Sequence, residues 1–257
     1  MTAADLPAAK EPLKFSYRAE DIASMRNALK LRPDPRRALF LAEKMRADFV
    51  FNTAALEGNP FTFPEVKTLI EGITVGGHKL SDAEQVLNLN QAFSYVIDLV
   101  KDGKFRIDAE TACAIQGIVA RNEALTWGRF RDGKVFIAGT EYEPPDAADL
   151  PSIFETGRLA LERETDPVLR AFLTFLWGSL NQFFHDGNKR TARLLANGTL
   201  LADGLPPLMI LAKDQLKYNQ TMTRFYDTQD ATEALSWLYG YYHERIAGFG
   251  FDDPSSA

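Results

Sequence analysis

The sequence predicts a mainly α-helical fold. Apolar residues recur at helical spacing through most of the 257-residue chain. Strand signals gather in one short stretch, residues 128–142. Pro, Gly, Asp and Thr stand where helices need to start and stop. A chain of this length fits one large domain, or one domain with a small helical annex, and can bury a sizeable core.

Residues 1–13 are rich in Ala, Pro and Lys, and the sequence predicts disorder there. Ala19 to Leu31 reads as the first helix, stopped by Arg32-Pro33-Asp34-Pro35. Arg36 to Leu56 reads as one second helix, with Leu39, Leu41, Met45, Phe49 and Phe51 at apolar positions. Thr62 caps the next helix, with Pro64 in its first turn. Ser81-Asp82-Ala83-Glu84 reads as a capping box opening a helix to Val100. Asp108 caps another helix, to Val119.

Next comes the β region. Arg131-Asp132-Gly133-Lys134 reads as a turn, Val135-Phe136-Ile137 as a strand and Gly139-Thr140 as a second turn, which together predict a small hairpin. Leu150 to Glu164 and Pro167 to Gln182 read as helices, with Phe172, Phe175, Leu176, Trp177 and Leu180 in the core. A helix over 191–202, closed by Asp203-Gly204, and helices over 214–226 and 232–246 complete the pattern, leaving 251–257 as a tail.

The formal net charge of −6 and the lack of any basic tract interleaved with aromatics argue against nucleic-acid binding. The single cysteine, Cys113, allows no internal disulfide and no Cys-based zinc site. No apolar run is long enough to span a membrane, and no signal core is evident. The sequence therefore reads as cytoplasmic.

Chemistry concentrates in Gln182-Phe183-Phe184-His185-Asp186-Gly187-Asn188-Lys189-Arg190-Thr191-Ala192-Arg193. The stretch reads as a helix end, a polar loop and a helix start. Gly187 permits a turn that other residues resist, and Asn188 is a good N-cap. A helix N-terminus offers unpaired N–H groups to anions. Lys189, Arg190 and Arg193 add positive charge there, against the preference of the helix dipole for acids. Asp186 could hold Mg2+ between itself and phosphates. A plain capped helix-loop-helix with a solvated basic turn accounts for the same residues without a ligand.

The loop resembles the signature of the Fic (Fido) domain family, His-Pro-Phe-x-(Asp/Glu)-Gly-Asn-(Gly/Lys)-Arg followed by a second Arg. Phe184, Asp186, Gly187, Asn188, Lys189, Arg190 and Arg193 match it. The family's general-base His falls on Gln182 and its Pro on Phe183. Gln has no usable basic pKa. His185 stands at the family's variable position. A second stretch, Thr53-Ala54-Ala55-Leu56-Glu57-Gly58-Asn59, resembles the Ser/Thr-x-x-x-Glu-Gly-Asn inhibitory motif of the same family, as well as an ordinary helix C-terminus.

The resemblance implies a Fic-like helical bundle with a β-hairpin flap. It divides the chain into an N-terminal helical region with the inhibitory motif, 14–105, and a Fic-like core, 106–250. It implies transfer of AMP from ATP to a hydroxyl side chain of a protein target. Asp186 would bind Mg2+; Gly187, Asn188, Lys189, Arg190 and Arg193 would hold nucleotide phosphates. Glu57, with Thr53 in its motif, would inhibit by pairing with Arg193. Val135, Phe136, Ile137, Ala138 and Gly139 would form the flap on which the target docks. Tyr218 and Tyr226 fall nearest the residues that contact adenine. The family often dimerises. Because Gln182 replaces the base, two alternatives stand beside the transferase: a non-catalytic nucleotide- or partner-binding pseudoenzyme, and a phosphoryl transferase like the toxin Doc, whose loop shares Asn-Lys-Arg. Transfer of another group, with His185 or a substrate group as base, is a further variant.

Overall fold

A nearly all-buried helical pair sets the architecture, in a computed structural model that describes residues 12–251. The eleven helices of the described residues are α1 (Ala19–Ala28), α2 (Pro35–Lys44), α3 (Arg46–Leu56), α4 (Phe63–Ile70), α5 (Leu80–Lys101), α6 (Ala109–Val119), α7 (Leu150–Arg163), α8 (Pro167–Asn181), α9 (Asn188–Ala202), α10 (Gln215–Thr228) and α11 (Thr232–Ile246). Helices α8 and α9 pack along each other at the centre. In α8 every residue but Pro167 and Arg170 is buried, as expected of a helix surrounded by others. Helices α5 and α6 cover α9, α7 covers α8, and α1 lies on α11.

The apolar core runs unbroken from Phe49 and Phe93 through Phe172, Phe175 and Trp177 to Tyr242. A smaller cluster of Val50, Ala54, Phe61, Val66, Leu69, Val86 and Leu89 sits between α3, α4 and α5. It fixes the end of α3, where Glu57 stands. Gln215 reinforces that end by donating to the carbonyls of Ala55 and Leu56 at 3.2 and 3.0 Å; Ala55 also accepts from the Gly58 N–H at 3.0 Å as the chain turns out of the helix.

Four expectations are corrected. The single helix over 36–56 is two, broken at Met45 (φ −92°, ψ 9°). No Pro or Gly marks the break. The two halves meet different neighbours: α2 lies against α5 and α9, and α3 against α4 and α5. The capping box at Ser81 is absent, because α5 starts at Leu80 without a side-chain cap. A capping box occurs at α4, where Glu65 accepts from the backbone N–H and hydroxyl of Thr62 at 2.8 and 2.7 Å. Asp108 caps α6 by accepting from the Thr111 N–H.

The hairpin is also absent: no strand ladder forms among the described residues, where Ser16 and Asp230 make an isolated bridge. Pro144 and Pro145 remove two donors from the second arm. The Arg131 guanidinium joins the arms instead, donating to the carbonyls of Gly133 at 2.7 Å and of Pro145. Finally, Asn188 is the first residue of α9, not its cap. The disorder expected of 1–13 lies outside the described residues for 1–11, while Leu13 is buried in the core. Of the tail, 252–257 lie outside them, and Phe251 is buried.

Gly198 lets α9 pack directly against the Phe105 ring. A Cβ there would lie 2.1 Å from the Phe105 ring. Gly198→Ala therefore lowers stability by about 1–3 kcal/mol through overpacking. A fall in the urea midpoint at constant slope is the expected reading.

Candidate functional site

Helix α8 ends at Asn181, and Gln182 turns the chain with left-handed backbone (φ 48°, ψ 59°). Gly187 (φ 76°) turns it again into α9. A side chain at Gly187 would be strained and would crowd Val119 and Ala120. Between these turns Phe183 and Phe184 are buried. Phe183 packs on Phe154 and Trp177, with ring centroids 5.0 and 4.8 Å away. The aromatic at the Pro position thus anchors the loop by packing.

The loop backbone is held from three sides. Asn188 accepts from the Phe184 N–H at 2.9 Å and donates to the Phe184 carbonyl at 2.8 Å and to Gln182 Oε1 at 3.0 Å. Its amide is spent inside the loop, which is why it caps nothing. Buried Gln116 on α6 donates to the Asp186 carbonyl at 3.1 Å and accepts from the Gly128 N–H at 2.6 Å. Arg131 donates through Nε to the Gln182 carbonyl at 2.6 Å and through its backbone N–H to the Phe183 carbonyl at 2.9 Å. Burial pulls the Arg131 pKa down, yet it has carbonyl partners for its donors.

The loop, the start of α9 and the 135–138 segment enclose a cleft of about 270 Å³. Glu57, Val135, Phe136, Ile137, Ala138 and Gln182 line it, with His185 to Arg190 as its floor. Gly139 lies outside, in a second depression with Asp227 and Gln229. Thr53 is buried on α3 and does not line the cleft.

Glu57 reaches across this floor. Arg193 Nη2 donates to Glu57 Oε1 at 3.0 Å, and Lys189 Nζ lies 3.3 Å from Glu57 Oε2. Burial pushes the Glu57 carboxyl up, but Arg193, Lys189 and Arg190 outweigh it and hold it below the usual carboxylate value. Arg193 Nη1 donates to the Tyr218 hydroxyl at 3.1 Å, and the guanidinium sits 5.7 Å from the Tyr218 ring centroid. Burial pushes the Tyr218 phenol up to about 12. Tyr218 and Tyr226 are both buried, and neither lines the cleft. As folded, Tyr218 supports Arg193 from behind and shows no face to a base.

Arg190 is paired with Glu123 at 2.8 Å and lies 3.5 Å from Asp186. The Asp186 carboxylate accepts from the Gly187 N–H at 2.5 Å and is more than half exposed. Gln182 is committed on both ends of its amide, donating to the Ser179 carbonyl at 2.7 Å and accepting from Asn188. His185, the one imidazole lining the cleft among the described residues, pairs with Asp132 at 3.0 Å.

Sequence reasoning passed over Gln116, Glu123 and Arg131 as site residues. Arg131 had a signal, the Gly128-Arg129-Phe130-Arg131 run beside the expected flap. Gln116 and Glu123 had none, because each acts across a long sequence gap.

The site is a helix-loop-helix whose turn and first cations lie under an opposed carboxylate. Residues 106–200 match the sequence model of the Fic/DOC family. The chain is 28% identical over 210 residues to the protein adenylyltransferase Fic of Drosophila ananassae, covering 78% of this chain and 41% of that protein. It thus spans less than half the length of such relatives. Its fold is that of Fic proteins. Fic-1 (residues 134–508) from C. elegans superposes with a TM-score of 0.72 at 18% identity, over 90% of this chain and 70% of that one. A variant of IbpAFic2 in complex with adenylylated Cdc42 gives 0.59 at 12% identity, over 92% and 74%. No helix of the described residues is long and apolar enough to cross a membrane.

Proposed function

We propose that this chain binds ATP with Mg2+ in the cleft and transfers AMP to a hydroxyl side chain of a protein, at a rate kept low by Glu57 and by Gln182. The observation that carries this is the α9 N-terminus with Lys189, Arg190 and Arg193, whose cations are already met by carboxylates from elsewhere in the fold, Lys189 and Arg193 by Glu57 and Arg190 by Glu123. Burying Arg190 and Arg193 near a helix N-terminus, with Lys189 half-buried beside them, costs stability, and an anionic ligand offsets that cost.

In the transfer, the target oxygen bonds to the α-phosphorus as the bond to pyrophosphate breaks, and the hydroxyl proton must leave. Gly187 and Asn188 shape the turn that receives the phosphates. Arg190 and Arg193 neutralise their charge, Arg193 only once Glu57 withdraws. Among the described residues no cluster of three or more acidic, His or Cys side chains could hold a metal. Asp186 fits Mg2+ nonetheless, since that ion binds through one or two carboxylates plus substrate phosphates, and its carboxylate is exposed at the cleft. When bound, Mg2+ supplies charge neutralisation on the phosphate oxygens. Gln182 orients without accepting a proton, so deprotonation is the weak step.

The 135–138 segment supports a protein target. Its backbone has no ladder partner, and Phe136 is 83% exposed beside the cleft. Such an exposed segment offers its backbone and the Phe136 ring to a docking chain.

A second reading, a nucleotide-binding regulator without chemistry, is favoured by the Gln182 amide, which is bonded at both its nitrogen and its oxygen within the loop. A third, phosphoryl transfer, is favoured by Lys189. Incubation with α-labelled and γ-labelled ATP separates them: label from the α position supports AMP transfer, label from the γ position only supports phosphoryl transfer, and binding without label supports the regulator. Asp186→Ala is expected to abolish the Mg2+-dependent part of ATP affinity, measured by calorimetry with and without Mg2+. Unchanged Mg2+-dependent affinity would remove Asp186 from this role.

A further inference from the structure

Two carboxylates serve the two arginines of the loop, from different places. Glu57 lines the cleft and pairs with Arg193, which lies behind it and does not itself line the cleft. Glu123 does not line the cleft. It follows α6 and meets Arg190 from behind, Nη1 to Oε2 at 2.8 Å, with Arg190 only 5% exposed and Glu123 16%. The same Glu123 oxygen accepts from Gln85 Nε2 at 3.1 Å. Gln85 Oε1 accepts in turn from Asn59 Nδ2 at 3.0 Å. Asn59 stands two residues after Glu57. A hydrogen-bonded line therefore runs from the Glu57-Gly58-Asn59 helix end through α5 to the arginine that Glu57 does not touch.

The other Glu123 oxygen is buried without a hydrogen-bond partner. A buried carboxylate left half-satisfied costs stability, so its presence calls for an account. Arg190 supplies one. Its other edge lies 3.5 Å from Asp186. Without Glu123 the nearest carboxylate to Arg190 is Asp186, and an arginine paired there takes the group assigned to Mg2+.

We propose that Glu123 is a positioning residue: its 2.8 Å pair with Arg190 keeps the guanidinium available to an anionic ligand and limits its contact with Asp186 to a long 3.5 Å bond, and Gln85 and Asn59 tie it to the segment bearing Glu57. The proposal rests on the phosphate-binding reading above. Two acids at one site thus act with opposite signs. Glu57 competes with the ligand; Glu123 prepares its arginine. Displacement of the Glu57–Asn59 segment frees Arg193 and reaches Arg190 through the same movement.

The test titrates Mg2+-ATP and, separately, inorganic tripolyphosphate into Glu57→Gly and Glu57→Gly/Glu123→Gln chains. The added Glu123→Gln weakens both ligands about tenfold, the size typical of losing a supporting partner behind a ligating group. It also raises the Mg2+ concentration needed for half-maximal ATP binding. A merely structural role would lower the melting temperature without moving that Mg2+ midpoint. Gln85→Met, which touches neither arginine, gives a smaller loss in the same direction and carries the test if Glu123→Gln does not fold. Unchanged affinity and Mg2+ midpoint, or tighter binding, overturns the proposal. A Glu57→Gly chain that binds tripolyphosphate but not ATP removes the nucleotide reading and leaves Glu123 judged on tripolyphosphate. Binding of neither overturns both.

Discussion

Gln182→His, placed in a chain that also carries Glu57→Gly, raises transfer of AMP from α-labelled ATP to protein by about 10²–10⁴-fold over Glu57→Gly alone, the range that a positioned general base contributes. The backbone at residue 182 is left-handed (φ 48°), a conformation in which His is several-fold enriched. The anchors of the turn are not the Gln side chain. Arg131 holds the residue's carbonyl, and Phe183 holds the next position by packing. Asn188 loses one acceptor but keeps both bonds to Phe184. The new imidazole therefore enters a loop that retains its shape, at the lip of the cleft. Label appearing from α-labelled and not γ-labelled ATP is the expected pattern. No gain from the base would mean that the loop does not seat the α-phosphate for attack.

Glu57→Gly moves stability in opposite directions with and without ligand. In the free protein it leaves Arg193, only 3% exposed, with the Tyr218 hydroxyl as its remaining partner. Breaking a buried pair from one side costs about 3–5 kcal/mol. For a chain of this size that lowers the melting temperature by about 10 °C. Saturating Mg2+-ATP then raises it more in the variant than in the native chain, because the ligand supplies the missing anion. The pH dependence follows from the depressed Glu57 pKa. A carboxyl held below its ordinary value contributes stability above that value and loses it as pH falls through the folded one. The gap between native and variant melting temperatures should thus hold constant from about pH 8 to about pH 5 and close only in stronger acid. A gap that closes near neutrality would contradict the ion pairing of Glu57.

How much of this was legible depends on how local the signal is. The 182–193 loop reads directly, since its turn glycine, its cations and its flanking helices are contiguous. Glu57 and Arg193 stand 136 residues apart; no periodicity joins them, and only the resemblance pairs them in the sequence. Asn188 has the right residue type for a cap, yet its amide bonds backward to Phe184 and Gln182, a choice set by the loop's tertiary closure. The β propensity of Val135-Phe136-Ile137 is real, but a strand needs a partner with donors, and Pro144 and Pro145 supply none. The break at Met45 has no breaker residue, because packing of the two halves against different helices makes it. Gln116, Glu123 and Gln85 carry no motif at all; they matter only because α5, α6 and α9 meet.

On the reading proposed, Glu57 holds a preserved phosphate site shut. Calorimetric titration of Mg2+-ATP into the native chain and into Glu57→Gly tests it most directly. Weak Mg2+-dependent binding that tightens at least tenfold in the variant is the predicted result. Equal affinity in the two proteins, or no binding in either, would contradict it.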